Sequence, residues 1–193
     1  MKWNIWRTAA LLGLLVLSVG FGFAYDAVAT AVEKNGHPRP AHLQESVQTH
    51  ADVYGVPEPI VWAVLSSGSG FASNAVSESG AVGLMQITPA QFTHIFNDIL
   101  KKEVPDTGLL YDPETNLSCG VAYLSHLYER YGVWDLTLAA YRAGSDTVDA
   151  WLADPQYTNE QGILERIPNA EVSAFVKEVT KAADLYRKLY YEP

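Results

Sequence analysis

Three short stretches of the chain contain the side chains whose types and order indicate a ligand site. Residues 64–71 read VLSSGSGF, follow an apolar run and include no acid, base or metal ligand. Residues 83–86 combine an apolar methionine with a glutamine amide, and residues 138–144 contain the ring and phenol of Tyr141. Amides, hydroxyls and aromatic edges hold a ligand. Proton transfer needs a positioned acid or base, and the first stretch offers none.

Helical periodicity governs almost every segment that must position these stretches. Leu117, Val121, Leu124 and Tyr128 recur at spacings of three and four residues, as on one face of a helix. Similar patterns, with Thr88 and Ser145 as expected N-caps, predict seven helices over residues 42–54, 57–67, 89–100, 113–131, 135–143, 145–151 and 168–190. Beyond Ala81-Val82, no alternating run indicates a strand. The predicted fold class is therefore all-α or nearly so.

The first 29 residues have the composition of a secretory signal peptide. Lys2 and Arg7 give a basic start, residues 8–24 are uncharged and mostly apolar, and residues 27–29 read AVA, the small-residue spacing of a cleavage site. The same apolar stretch is just long enough to span a bilayer if it is retained. The sequence thus predicts export, with an uncleaved anchor as the alternative and membrane contact only in that case.

The rest of the chain is predicted to form a linker and one acidic domain. Residues 35–40 read NGHPRP, and this density of proline and glycine favours a linker over residues 30–40 and a folded domain over residues 41–193. The formal net charge of −9 argues against nucleic acid as a partner. A lone cysteine, Cys119, excludes an internal disulfide and is expected in the core. No Cys/His spacing indicates zinc, so no metal or cofactor is expected.

Five motifs in order resemble the soluble-type lytic murein transglycosylases of the lysozyme-like superfamily. The resemblance extends over about residues 50–185 and implies a lysozyme-like helical fold with a cleft for peptidoglycan glycan strands. It also implies substrate-binding roles for Ser69, Gly83, Met85, Gln86, Tyr141 and Glu171. The motifs are NAVS at 74–77, GAVGLMQITP at 80–89, YDPETNL at 111–117, LAAYRAG at 138–144 and IPNAEVSAFV at 167–176.

The family chemistry depends on a single glutamate. That residue protonates the leaving oxygen between N-acetylmuramic acid and N-acetylglucosamine, then acts as base while the 6-hydroxyl closes a 1,6-anhydro ring. The family pattern places it in Glu-Ser-x-Phe, eighteen residues before the glutamine of Gly-Leu-Met-Gln. In this chain that position is Gly68, whereas Ser69 and Phe71 keep the pattern. The resemblance therefore implies a domain without its catalytic residue.

Two further departures fall at expected cleft positions. Arg142 stands where the family has asparagine, and Asn169 stands where it has an aromatic residue. The favoured hypothesis is an exported protein of the periplasm or cell envelope that binds peptidoglycan and is inactive or severely impaired as an enzyme. One alternative is an active transglycosylase that uses a displaced acid such as Glu78. Another is a structural or partner-binding module of the envelope.

The signal-peptide hypothesis predicts where the mature chain begins. Mass spectrometry of protein recovered from the cell envelope is expected to find a first residue near Thr30, because cleavage after Ala29 fits the small-residue spacing. Recovery of a chain that retains Met1 in the membrane fraction would instead establish the anchor.

Overall fold

A computed structural model describes residues 18, 25 and 28–192. The chain divides into two compact units, Met1–Pro38 and Arg39–Pro193. Most of the predicted signal peptide, residues 1–29, lies outside the described residues. Among the described residues, no helix is both long enough and apolar enough to cross a membrane.

The first unit shows that the predicted linker is helical over much of its length. Residues 28–36 form helix, whereas residues 37–40 have no regular secondary structure. Ala31, Glu33 and Lys34 are strong helix formers, which accounts for the difference. The helix ends before Pro38, as expected, because the residue preceding a proline avoids helical backbone angles.

The second unit is helical, and the all-α prediction is confirmed. Within residues 39–192, two 3-10 turns (Ala41–Leu43 and Thr107–Tyr111) and a π turn (Ile95–Ile99) accompany the α-helices, and the only β pairing consists of isolated bridges. The helices are α1 Gln44–Tyr54, α2 Glu58–Ser69, α3 Pro89–His94, α4 Pro113–Tyr131, α5 Trp134–Ala143, α6 Ser145–Ala153 and α7 Ala170–Tyr190.

Capping side chains set several of these boundaries. Thr88 caps α3 through reciprocal hydrogen bonds with Gln91, as its sequence position predicts. Asp112 caps α4 by accepting a hydrogen bond from the backbone N–H of Thr115 at 2.8 Å. The prediction that Ser145 caps α6 is wrong. Gly144 ends α5 and is also the N-cap of α6, with a φ of 87° that favours glycine.

Helix α2 forms the centre of the core and presents Gly68 near its C-terminal end. Residues 59–65 of α2 are all buried, as expected for a helix that is apolar all round. Its Trp62 is fully buried and stacks on Tyr186 of α7, with 6.4 Å between ring centroids. Cys119 is buried in α4, as predicted, and burial raises the pKa of its thiol to about 11. The last turn of α2 therefore has a rigid base.

A buried amide ties the loop between α2 and α3 to helix α4. Asn116 is fully buried, and its Oδ1 accepts a hydrogen bond from the backbone N–H of Met85 at 2.7 Å. Its Nδ2 donates to the carbonyl oxygens of Val82 and Leu110, each at 2.9 Å. At Gly83, whose φ is 78°, a Cβ would lie 2.5 Å from Nδ2 of Asn116. The hydrogen bonds of Asn116 therefore require glycine at position 83, where a Cβ would overlap the Asn116 side chain.

Asn116→Asp is expected to lower the free energy of unfolding by about 2–4 kcal/mol, because a buried carboxylate oxygen would face two carbonyl oxygens that lose their donor. Urea denaturation followed by circular dichroism measures the change. Asn169→Asp is the matched control: Asn169 is an exposed N-cap that accepts from the N–H of Val172, and aspartate caps equally well. If Asn116→Asp lowers the free energy of unfolding by less than about 1 kcal/mol, the three hydrogen bonds of Asn116 do not hold the loop as described.

Candidate functional site

One small cavity brings together the three stretches selected from the sequence. Its volume is about 60 Å³, and it lies where the end of α2 meets the loop before α3 and the end of α5. Three larger surface hollows beside α7, of about 480, 580 and 600 Å³, include none of the predicted site residues. The small cavity is lined by Val64, Gly68, Ser79, Ala81, Met85, Gln86, Thr88, Gln91, Tyr141, Arg142 and Phe175.

Gly68 leaves room for a side chain in this cavity. It lies in the last turn of α2, and a Cβ built there would have Gln86 Cγ as its nearest neighbour at 3.5 Å, an ordinary van der Waals contact. A Cβ at position 68 is therefore accommodated beside Gln86 without displacing the backbone. None of the described residues that line the cavity is an acid.

The two carboxylates considered from the sequence do not line the cavity. Glu78 is exposed in the loop before α3, next to the lining residue Ser79. Glu171 lies in the first turn of α7 with 73% of its side chain exposed, and it forms an ion pair with Arg142.

Gln86 is held rigidly beside Gly68, as a ligand contact would require. Its Nε2 donates to the carbonyl oxygens of Gly83 at 2.9 Å and Ala75 at 3.3 Å. These bonds accompany a backbone φ of 53°, an uncommon conformation for a residue other than glycine. No described residue donates a hydrogen bond to its Oε1, which leaves that oxygen for a ligand.

Met85 and Gly83 support the loop by core contacts. The family resemblance implies a substrate-binding role for Met85, which is among the lining residues, but its side chain is fully buried and packs on Gly120 of α4. A Cβ on Gly120 would lie 2.5 Å from Cβ of Met85. Gly83 is expected to let the backbone approach a ligand, but its close neighbour is Asn116. Both differences follow from the attachment of this loop to α4.

Tyr141 and Ser69 use their hydroxyl groups within the protein. The Tyr141 hydroxyl donates to the Met85 carbonyl oxygen at 2.7 Å, and the residue is only 5% exposed. Burial raises the pKa of this phenol well above its usual value, so it stays protonated. The Ser69 hydroxyl donates to Leu65 O at 3.2 Å and accepts from the N–H of Phe71 at 3.1 Å, which stabilises the end of α2.

Arg142 and Phe175 form the cationic and aromatic wall of the cavity. The Arg142 guanidinium lies 5.6 Å from the centroid of the Phe175 ring and pairs with Glu171. Asn169, expected as an altered cleft residue, is exposed, caps α7 and is not among the lining residues. Selection by residue type and motif position missed the lining residues Thr88, Gln91 and Phe175, although all three fall within or beside the quoted motifs.

Comparison with a family model identifies the domain. The model described as "Transglycosylase SLT domain" matches residues 45–164, well over half of the chain. The chain belongs to this family. The soluble lytic murein transglycosylase of Escherichia coli K12 is 32% identical to it over 134 residues, which cover 68% of this chain and 21% of that relative.

Solved structures confirm the fold of this SLT domain. The 70 kDa soluble lytic transglycosylase of Escherichia coli has 27% identity and a TM-score of 0.73, over 83% of this chain and 26% of that one. An inactive glutamate-to-glutamine mutant of the Pseudomonas aeruginosa lytic transglycosylase Slt has 28% identity and a TM-score of 0.67, over 80% and 25%. The chain thus matches about a quarter of each of these larger proteins.

Two helical glycines give opposite expectations for alanine substitution in this SLT domain. Gly68→Ala is expected to raise the free energy of unfolding by about 0.5–1 kcal/mol, because alanine favours helix and its methyl group meets only an ordinary contact. Gly120→Ala is expected to lower it by about 1–3 kcal/mol, because the methyl group would overlap Met85. Thermal unfolding measures both variants. A lower free energy of unfolding for Gly68→Ala would show that position 68 has no room for a methyl group.

Proposed function

We propose that this SLT domain binds the glycan strands of peptidoglycan and does not cleave them. The observation that supports the proposal is the cavity at the end of α2, where position 68 is glycine and no described lining residue is an acid. The relatives are named as murein transglycosylases, and their reaction needs a group that gives and then takes a proton. Glycine can do neither.

The expected loss of activity is large. Removing a general acid typically slows a reaction by about 10²–10⁴-fold. The Pseudomonas aeruginosa relative was solved as an inactive mutant in which a glutamate is replaced by glutamine. Glutamine keeps the size of the side chain and can still form hydrogen bonds. Gly68 removes the whole side chain, so catalysis by this domain is expected to fall at least as far.

Several groups at the cavity remain suited to holding a ligand. Gln86 presents its Oε1 as an acceptor, and Phe175 presents part of an aromatic ring. Sugars are commonly bound by such a combination of fixed polar groups and apolar surfaces. Because ground-state binding alone does not lower a reaction barrier, retention of these contacts is compatible with a domain that binds without reacting.

The proposal includes export to the cell envelope, where murein is found. It rests on the basic and apolar start of the chain and on the murein named in the relatives. The displaced-acid alternative has less support, because Glu78 is exposed and does not line the cavity. A partner-binding module of the envelope would keep the fold but would have no need of the cavity.

The decisive assay compares the unaltered protein with Gly68→Glu and Gly68→Gln on purified sacculi. The unaltered protein is expected to sediment with sacculi and to release no 1,6-anhydro products. Gly68→Glu is expected to restore some release, because the side chain fits beside Gln86. Gly68→Gln supplies a side chain of the same size that cannot act as a general acid or base, and should stay inactive. Mass spectrometry of the released muropeptides provides the measurement.

Other outcomes separate the alternatives. Anhydro products released by the unaltered protein and abolished in Glu78→Gln would establish the displaced acid. Absence of sedimentation with sacculi, for a protein with a normal helical circular dichroism spectrum, would favour the partner-binding module.

A further inference from the structure

Most polar groups that line the cavity are occupied by other protein groups. Gln91 accepts from Thr88 and donates to the carbonyl oxygen of Tyr141 at 3.2 Å. The hydroxyls of Thr88, Tyr141 and Ser79 also have protein partners. These groups therefore fix the shape of the cavity and contribute little to the recognition of a ligand.

Two lining residues keep unused hydrogen-bonding capacity among the described residues. Arg142 donates to Glu171 through Nη2 alone, although a guanidinium has five N–H groups on three nitrogens. Gln86 keeps Oε1 as an acceptor. A ligand that satisfies both residues must bring an anionic acceptor to Arg142 and a hydroxyl or amide donor to Gln86.

The charge of the cavity selects the anionic part of that ligand. Arg142 is the only cation among the described lining residues, and none of them is an acid. The Phe175 ring lies 5.6 Å from the guanidinium carbon and helps to orient the planar group. Gly68 adds no negative charge to the lining, and the described carboxylate that pairs with Arg142 is Glu171, which does not line the cavity.

Glu171 indicates which anion suits Arg142. Its carboxylate already pairs with the guanidinium, but 73% of the side chain is exposed and the pair is a surface contact. Exposed pairs of this kind are weak, so a ligand carboxylate can share Arg142 or displace Glu171. Arginine also matches the planar geometry of a carboxylate through two parallel hydrogen bonds. The volume of about 60 Å³ accommodates a group of a few non-hydrogen atoms.

We propose that Arg142 makes this cavity a carboxylate-binding site, so that the domain selects glycan strands bearing acidic peptides over neutral sugar polymers. The inference rests on the proposed function. Carboxylates in murein lie on the peptides attached to the glycan, while the sugar hydroxyls and amides supply the donor for Gln86. Free small carboxylates share the same chemistry, and the experiment below distinguishes the two sources.

The test uses the whole chain and three soluble probes. The first is a disaccharide-peptide fragment prepared from sacculi, either with free carboxylates or with its carboxylates converted to amides. The second is chitotetraose, a neutral oligosaccharide. The third is sodium acetate, compared with sodium chloride at equal ionic strength. Isothermal titration calorimetry measures affinities, and NMR follows the side-chain amide resonance of Gln86.

Three variants separate a binding role of Arg142 from a structural one. Arg142→Gln is expected to weaken binding of the acidic fragment roughly tenfold, since hydrogen bonds to charged groups contribute that much, and to affect chitotetraose binding much less. Glu171→Gln is expected to strengthen binding of the acidic fragment, because it removes the competing carboxylate. Arg130→Gln is the matched control: Arg130 forms a similar surface pair with Asp149 and does not line the cavity.

Equal affinity for the acidic and amidated fragments would overturn the inference and leave glycan binding intact. Parallel weakening in Arg142→Gln and Glu171→Gln would also overturn it, because a structural ion pair needs both partners. If no glycan probe binds, the proposed function fails. In that case, an acetate-dependent shift of the Gln86 amide resonance that is lost in Arg142→Gln would support a site for free small carboxylates. If acetate does not shift this resonance, both proposals fail.

Discussion

The buried amide of Asn116 is the contact on which the site depends. It accepts from Met85 and donates to Val82 and Leu110, so one side chain joins the loop before α3, helix α4 and the preceding 3-10 turn. This attachment buries Met85, and the Met85 carbonyl oxygen then accepts from the Tyr141 hydroxyl. Leaving a buried polar group without a hydrogen-bond partner costs about 1–3 kcal/mol of stability, so the loop has little freedom to adopt another arrangement. The cavity therefore has a rigid floor whether or not a ligand is bound.

A rigid cavity without an acid changes what the SLT fold can do in this chain. Preorganised groups lower a barrier only when they act on the charge or proton that develops in the transition state. Gly68 provides no such group, and Arg142 is a lining cation that pairs with Glu171. In the proposed function, the same scaffold holds an anionic ligand in its ground state, and affinity and selectivity matter rather than turnover.

Local signals predicted the helices well and failed where distant contacts decide the conformation. Thr88 and Asp112 were recognisable as the starts of helices, because capping needs only a side chain and the next three residues. Ser145 was expected to cap α6, since the sequence does not show that Gly144 both ends α5 and begins α6. Met85 and Tyr141 line the cavity, as their motifs indicate, but their near-complete burial depends on which helices pack against them. Phe175 belongs to the cavity through the approach of α7, which no local pattern reveals.

The sequence by itself determined the helical class, the family resemblance and the glycine at position 68, because residue identity, periodicity and motif spacing are properties of the chain. It also identified Arg142 as a departure from the family pattern. Only the tertiary structure decided that Arg142 meets Glu171, 29 residues away, and lies over Phe175 at the cavity. Side-chain direction and the sharing of hydrogen bonds depend on how helices pack, and packing joins residues far apart in the sequence. For this reason Gly68, Gln86 and Arg142 were visible in the sequence, whereas the partners that hold Gln86 and Arg142 in place were not.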